Sequence, residues 1–294
     1  MRIPLVLFYS MLALQVAAHP GNGIVVLADG RVLTGDAVGN GTWLFEAGKP
    51  PRRQVRDFHC HWLTRGQDGQ LYAESQGESN GQWTVTHYRL DRDGANPVRL
   101  GSGPLHRSNF TVDRHGHLVF AESGRLMTQD RAGGLSPWRG NGRVLAGDPP
   151  LGSVSAMAWG PRDILYLSEG PNVRKVGPDG IIRMVARFGG RPSVSMYAGQ
   201  GNAQRVWGLA VDEAENVYVA LASNDQVIKI EPGGKREVID GGQRDGWIAT
   251  GVATSGDRLY LLESKVEGNR NLGPRVRMRG RPSGWVVLGT VTQR

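Results

Sequence analysis

The chain has 294 residues, among them 43 glycines, 8 tryptophans and one cysteine, and a formal charge of +8. That length is large for one ordinary core but normal for a repeat-built domain, and a single cysteine excludes an internal disulfide. Basic residues are scattered apart from "RVRMRGR" at 275–281. With no interleaved aromatics and no recognisable module around that cluster, nucleic acid is not an expected partner, and it reads as solvated basic surface.

The chain opens with "MRIPLVLFYSMLALQVAA" (1–18), which reads as a signal peptide. Arg2 is a short basic start, Pro4 to Val16 is apolar, and Val16 and Ala18 are small residues before a cleavage point at His19. The apolar run is too short for a comfortable membrane span. The expectation is a secreted or periplasmic protein, mature from about His19, with no transmembrane span after cleavage; an uncleaved anchor is the alternative. Residues 19–294 are expected to form one domain.

From there a pattern recurs: an apolar strand, a polar turn often carrying Asp-Gly, and a second apolar strand. The copies are "GIVVLADGRVLTGD" (23–36), "WLTRGQDGQLYAES" (62–75), "NFTVDRHGHLVFAES" (109–123), "AMAWGPRDILYLSE" (156–169), "GLAVDEAENVYVAL" (208–221) and "GVATSGDRLYLLES" (251–264). Their spacing, roughly 40 to 50 residues, is that of four-stranded propeller blades. Each copy is followed by material for two more strands, such as "NVRKVGP" and "IIRMVAR", or "QVIKIEP" and "REVID". The prediction is an all-β, six-bladed propeller of four-stranded antiparallel blades. "GWVVLGTV" (284–291) completes the last blade, so closure needs no exchanged strand. "PPRRQVR" (50–56) and "SKVEGNRNLGPR" (264–275), interrupted by Pro, Gly and Asn, are expected outside the blade cores.

The stretch "WGLAVDEAENVYVALASNDQVIKIEPGGK" (207–235) resembles an NHL repeat, and residues 19–294 as a whole resemble six-bladed propellers of the NHL and SMP-30/gluconolactonase-like group. The resemblance implies the fold and leaves the activity open, because this architecture carries enzymes, ligand binders and scaffolds.

In such propellers the residues just before each innermost strand face the mouth of the central channel. Aligning the copies puts Asn22, His61, Ser108, Ser155, Trp207 and Thr250 there, a candidate ligand-binding set of polar and aromatic groups above smaller residues. "FHCHWL" (58–63) places His59 on the same side as His61 by strand alternation, with Cys60 turned away into packing. His59 and His61 are then candidate metal ligands, with His19 or Asn22 as a third donor; the other reading is a pair that only bonds to its neighbours. His115-Gly116-His117 reads as a solvated turn.

Asp36, Glu74, Glu122, Glu169 and Glu263 end the second strand in five copies, where the fifth blade has Leu221. They are either a ring of metal ligands or hydrogen-bond acceptors between neighbouring blades, which is the preferred reading.

Three functions follow. One is a non-catalytic propeller binding a small molecule or a protein partner at the channel mouth. Another is the metal-dependent lactonase or ester hydrolase that the gluconolactonase-like resemblance implies, with a divalent metal, calcium or zinc, polarising the ester. Asn22 fits an asparagine slot of that site, whereas Ser155, Trp207 and Thr250 depart from it. The third is a zinc-dependent peptide-amidating-type lyase, implied by the NHL resemblance, for which only His61 is placed. No phosphate-cradling loop is present.

Overall fold

The computed structural model describes residues 21–37, 39–140, 142–189, 205–241, 245–267, 270–280 and 284–291. The leader and His19 lie outside these residues. Six sheets of four strands surround a channel, each sheet built from four consecutive antiparallel strands, so the strand order in every blade is the order of the chain. The innermost strands are β1 (Ile24–Val26), β5 (Leu63–Arg65), β9 (Thr111–Val112), β13 (Val154–Gly160), β17 (Gly208–Val211) and β21 (Trp247–Ser255). All six repeat copies predicted from the sequence coincide with the first two strands of a blade. Among the described residues the only helical turns are short 3-10 segments, and no helix is long and apolar enough to cross a membrane.

The hairpins follow from local chemistry. Asp113 Oδ1 accepts the amides of His115 and His117, and Gly116 takes φ 79°, so the first turn of blade three closes on a side-chain acceptor and a left-handed glycine. The His115–His117 pair is therefore part of a turn, as read from the sequence.

Blades hold together by apolar packing across their faces. Trp62 and Tyr72 of blade two join Phe110 and Phe120 of blade three in one cluster. The ring closes in the same way: Ile24, Val26, Val32 and Phe45 of blade one pack on Tyr260, Leu262 and Val276 of blade six. Thr250 adds a hydrogen bond across this seam, donating to the Gly21 carbonyl at 3.1 Å.

Two expectations are corrected. Residues 50–56 and 264–275 are not loops. Arg52–Arg56 forms β4, the outer strand of blade one; β22 (Arg258–Glu267) and β23 (Arg270–Arg279) continue as a long hairpin. Proline is tolerated here: Pro51 precedes β4, and Pro274 lies where the β22–β23 register shifts, next to Ser264. The basic cluster at 275–281 is also not simply solvated surface. Arg277 is buried, and Arg275 and Arg277 both bond to the buried Glu263.

Candidate functional site

The channel narrows where the innermost strands begin, because glycines let backbones touch. A Cβ on Gly23 would lie 2.1 Å from the Leu63 nitrogen, and one on Gly251 would lie 2.5 Å from the Asn22 carbonyl oxygen. Asn22 spans the remaining gap. Its Nδ2 donates to the Ser155 carbonyl at 2.9 Å and to the Trp207 carbonyl at 2.8 Å, tying blade one to blades four and five.

Beyond this tie the channel widens into a cavity of about 430 Å³. Ile24, Val26, Met157, Trp159, Leu209 and Val252 supply apolar wall, Thr254 and Ser255 add hydroxyls, and Arg65, Asp212 and Glu213 lie toward the turns that end the innermost strands. Its size is that of a small-molecule site, and its exposed lining is mixed, with more polar than apolar surface. Trp159 is fixed by its indole N–H, which donates to the Val112 carbonyl at 3.1 Å.

Arg65 is the distinctive group. Nη1 donates to the Gly69 carbonyl at 2.8 Å and Nη2 to the Val26 carbonyl at 2.9 Å, which fixes the guanidinium plane. Among the described residues no carboxylate pairs with it, and burial alone draws its pKa below the usual value. Two of five N–H donors are used, so three remain for a ligand. Asp212 is differently placed: its Oδ2 accepts from Asn216 Nδ2 at 2.8 Å and from the Tyr218 hydroxyl at 3.0 Å.

Of the six residues aligned at the channel mouth, only Asn22 lines this cavity. Trp207 is buried against Ala222 and Ile248, between blades five and six. Thr250 is fully buried on its bonds to the Gly21 and Leu262 carbonyls. Ser108 follows a 3-10 turn, its amide donating to the Leu105 carbonyl, and Ser155 contributes its carbonyl to Asn22. Sequence reasoning passed over Arg65 and Trp159. The available signal was a long basic residue at the end of an innermost strand whose hairpin turn carries one acid, Asp68, which accepts from Tyr72 at 2.6 Å.

His59 and His61 do share a side, although the strand on which the alternation argument depended begins only at Leu63. Their Nε2 atoms are 2.9 Å apart, and His59 Nδ1 is 3.0 Å from Asn40 Oδ1. Burial holds the His59 pKa below the usual imidazole value, opposed by the Ala37 backbone and the Asp36 charge. Cys60 between them is buried, and burial pushes its thiol pKa well up. His19 lies outside the described residues, among which no group of three His, Cys, Asp or Glu side chains could hold a metal.

The recurrent acids are acceptors, but mostly within their own blades rather than between blades. Asp36 accepts from Gly39 and Trp43, Glu169 pairs with the fully buried Arg174, and Glu263 with Arg275 and Arg277. Glu122 takes His106 and Arg107 from the turn leading into its blade. Glu74 reaches across, accepting the Asn109 amide of blade three at 3.1 Å as well as Gln76 Nε2 at 2.8 Å. Glu263 is satisfied within its own blade because the third strand puts Arg275 directly opposite it.

No protein-family model and no curated protein sequence matches this chain. Solved structures do match in shape. A streptogramin B lyase superposes with a TM-score of 0.54 at 12% identity, over 96% of this chain and 86% of that one. The PQQ-bound form of aldose sugar dehydrogenase from Streptomyces coelicolor gives 0.58 at 15% identity, over 90% and 96%. A putative gluconolactonase gives 0.50 at 16% identity, over 82% and 84%. The chain shares their six-bladed propeller fold. Neighbours with a lyase, a dehydrogenase and a lactonase name share one scaffold, so chemistry must be argued from this chain's own side chains.

Proposed function

We propose that this propeller is an exported binding protein whose channel, between Asn22 and Arg65, takes a small molecule with an apolar body and one anionic group. The observation that carries the reading is Arg65, a guanidinium held by two backbone carbonyls, without a carboxylate among the described residues, at the rim of a cavity of mixed polar and apolar lining. A ligand carboxylate would take its remaining N–H groups as charge-assisted bonds. Glu213 on the same rim disfavours a second negative charge, so monoanions are preferred over dianions. Export rests on the leader, and N-terminal sequencing of exported protein starting near His19 would support it.

The metal-dependent lactonase reading is not favoured by the residues in the slots it needs. Thr250 donates its hydroxyl to two carbonyls and Trp207 is held in apolar packing, so these two positions supply no oxygen to a calcium-type cage.

The test is a calorimetric titration with phenylacetate, 4-phenylbutyrate and octanoate, each against its uncharged amide. Saturable binding of at least one acid, weaker by about 10-fold or more for its amide and in Arg65→Gln, supports the reading. Equal binding of acid and amide, no effect of Arg65→Gln, or no saturable binding of any acid overturns it.

A further inference from the structure

The sequence contains the pattern His-x-His twice, and the structure treats the two copies differently. His115 and His117 have ring centres 5.9 Å apart, and His117 Nδ1 faces the Asp113 carboxylate at 3.5 Å. His59 and His61 converge: ring centres 4.7 Å apart, planes at 72°, Nε2 atoms 2.9 Å apart. Convergence is the informative difference, since both pairs lie outside the strands and share only their sequence spacing.

We propose that His59 and His61 form a bidentate site for a divalent ion that accepts two nitrogens at a right angle, copper(II) or nickel(II), with water in the open positions. Two imidazoles bound cis to one ion at about 2.0–2.1 Å and about 90° hold their nitrogens about 2.9 Å apart and their ring centres about 4.5 Å apart. Both separations in this structure lie within a few tenths of an ångström of that arrangement. A tetrahedral angle would spread the nitrogens to about 3.4 Å, which disfavours zinc. Nitrogen donors with square-planar or tetragonal preference select copper(II) or nickel(II).

Asn40 is the positioning residue. Its Oδ1 is an acceptor only, so the facing His59 Nδ1 carries the proton, and His59 Nε2 presents its lone pair toward His61. The 2.9 Å contact between the rings then uses one proton on His61 Nε2. An incoming ion takes the His59 Nε2 lone pair and, as the His61 ring proton passes through solvent from Nε2 to Nδ1, the His61 Nε2 lone pair; both rings stay neutral, no net proton is released, no bond in the protein backbone changes and nothing is oxidised or reduced. The site stands beside the closed end of the channel, since the His61 carbonyl accepts the Asn22 and Gly23 amides, but neither imidazole lines the cavity. It is therefore independent of the channel ligand.

Trp83 provides a reporter, its ring 6.4 Å from that of His59 and exposed to solvent. The experiment is a copper(II) titration of the exported protein carrying His19→Ala, which removes a possible terminal donor. It is read by paramagnetic resonance and by tryptophan quenching. One equivalent with two nitrogen donors is expected, with quenching that is reduced in Trp83→Phe. Affinity should fall at least about 10-fold in His59→Ala and in His61→Ala, and stay within about 2-fold in His115→Ala. Asn40 has φ 50°, so Asn40→Gly fits its backbone while removing the acceptor. That change should weaken binding by about 10- to 100-fold, and Asn40→Asp should restore it. Unchanged affinity in either histidine variant, loss in His115→Ala, or no stoichiometric binding in the parent would overturn the proposal. Thermal midpoints without metal separate these outcomes from misfolding.

Discussion

The Asn22 amide donates to the Ser155 carbonyl 133 residues away at 2.9 Å, and so closes one end of a channel that no covalent bond crosses. Together with the bond to Trp207, this makes one side chain a strut between three blades. Asn22→Ala leaves two partly buried carbonyls without a donor and should destabilise the fold by about 1–3 kcal/mol. Asn22→Asp should cost more, because a carboxylate would face two carbonyl oxygens. Urea unfolding midpoints at unchanged m-value check both.

Glu74 is fully buried, and burial raises its pKa to about 7, against the donors Gln76 and Asn109. Opposite it on the next strand, His87 is buried with its pKa lowered to about 4. The signs oppose. For Glu74 the folded state holds the proton more tightly than the unfolded chain, so stability is greatest below about 4.5 and falls as pH rises to about 7. For His87 stability is greatest above about 6.5 and falls as pH drops toward 4. Between about 4.5 and 6.5 the two slopes offset each other. Glu74→Gln can keep both hydrogen bonds if the Gln76 amide turns over. It should stabilise the protein at pH 8 by roughly 3 kcal/mol, from about 2.5 pKa units at 1.36 kcal/mol each. It should also unmask a loss of stability on acidification below about 6.5. Denaturation at stepped pH values reads both effects.

Glu263 is fully buried and accepts from Arg275 Nε at 2.6 Å and Arg277 Nε at 2.9 Å, while Arg277 also pairs with Asp240 of blade five. Removing the central acid takes the shared carboxylate from both guanidinium groups, leaving Arg277 with Asp240 and Arg275 with the more exposed Asp245. Glu263→Gln is expected to cost about 1.5–3 kcal/mol, the worth of hydrogen bonds to charged groups. Asp240→Asn, which leaves Arg277 its bond to Glu263, should cost less. The order of thermal midpoints tests this.

Cys60 is buried, its Sγ 3.5 Å from the Trp62 carbonyl oxygen, and its thiol pKa is raised by burial and by the nearby Glu74 and Asp36 charges. It should react with a thiol reagent at the rate of unfolding and not as a surface cysteine. Complete labelling in urea, and less than about a tenth in buffer over the same time, is the expected result.

The architecture was legible because it repeats. Six copies of a strand, an Asp-Gly-type turn and a second strand carry their own register, and even "GWVVLGTV" announced the final strand of blade six. The shared side of His59 and His61 matches the expectation, but not through strand alternation, because β5 begins only at Leu63. What lay beyond the sequence was distance between blades. Trp207 and Thr250 hold the positions predicted for them along the chain, yet neighbouring blades bury both. Nothing local to "RVWGLA" or "IATGVA" records how closely Gly208 and Gly251 let two backbones approach. Arg275 and Arg277 looked like surface charge because their partners lie across a strand pair and in the preceding blade. Arg65 was missed for the converse reason: its significance is the lack of a carboxylate partner, which only the folded arrangement of the described residues displays.

The claim that the channel between Asn22 and Arg65 is a binding site is tested most directly by a crystal structure of the protein grown with the tightest-binding acid of the titration series. The account predicts the apolar body against Trp159 and Leu209, with the carboxylate within hydrogen-bond distance of the Arg65 guanidinium. An acid bound elsewhere on the blades, or one lying in the channel with its carboxylate turned away from Arg65, would contradict it.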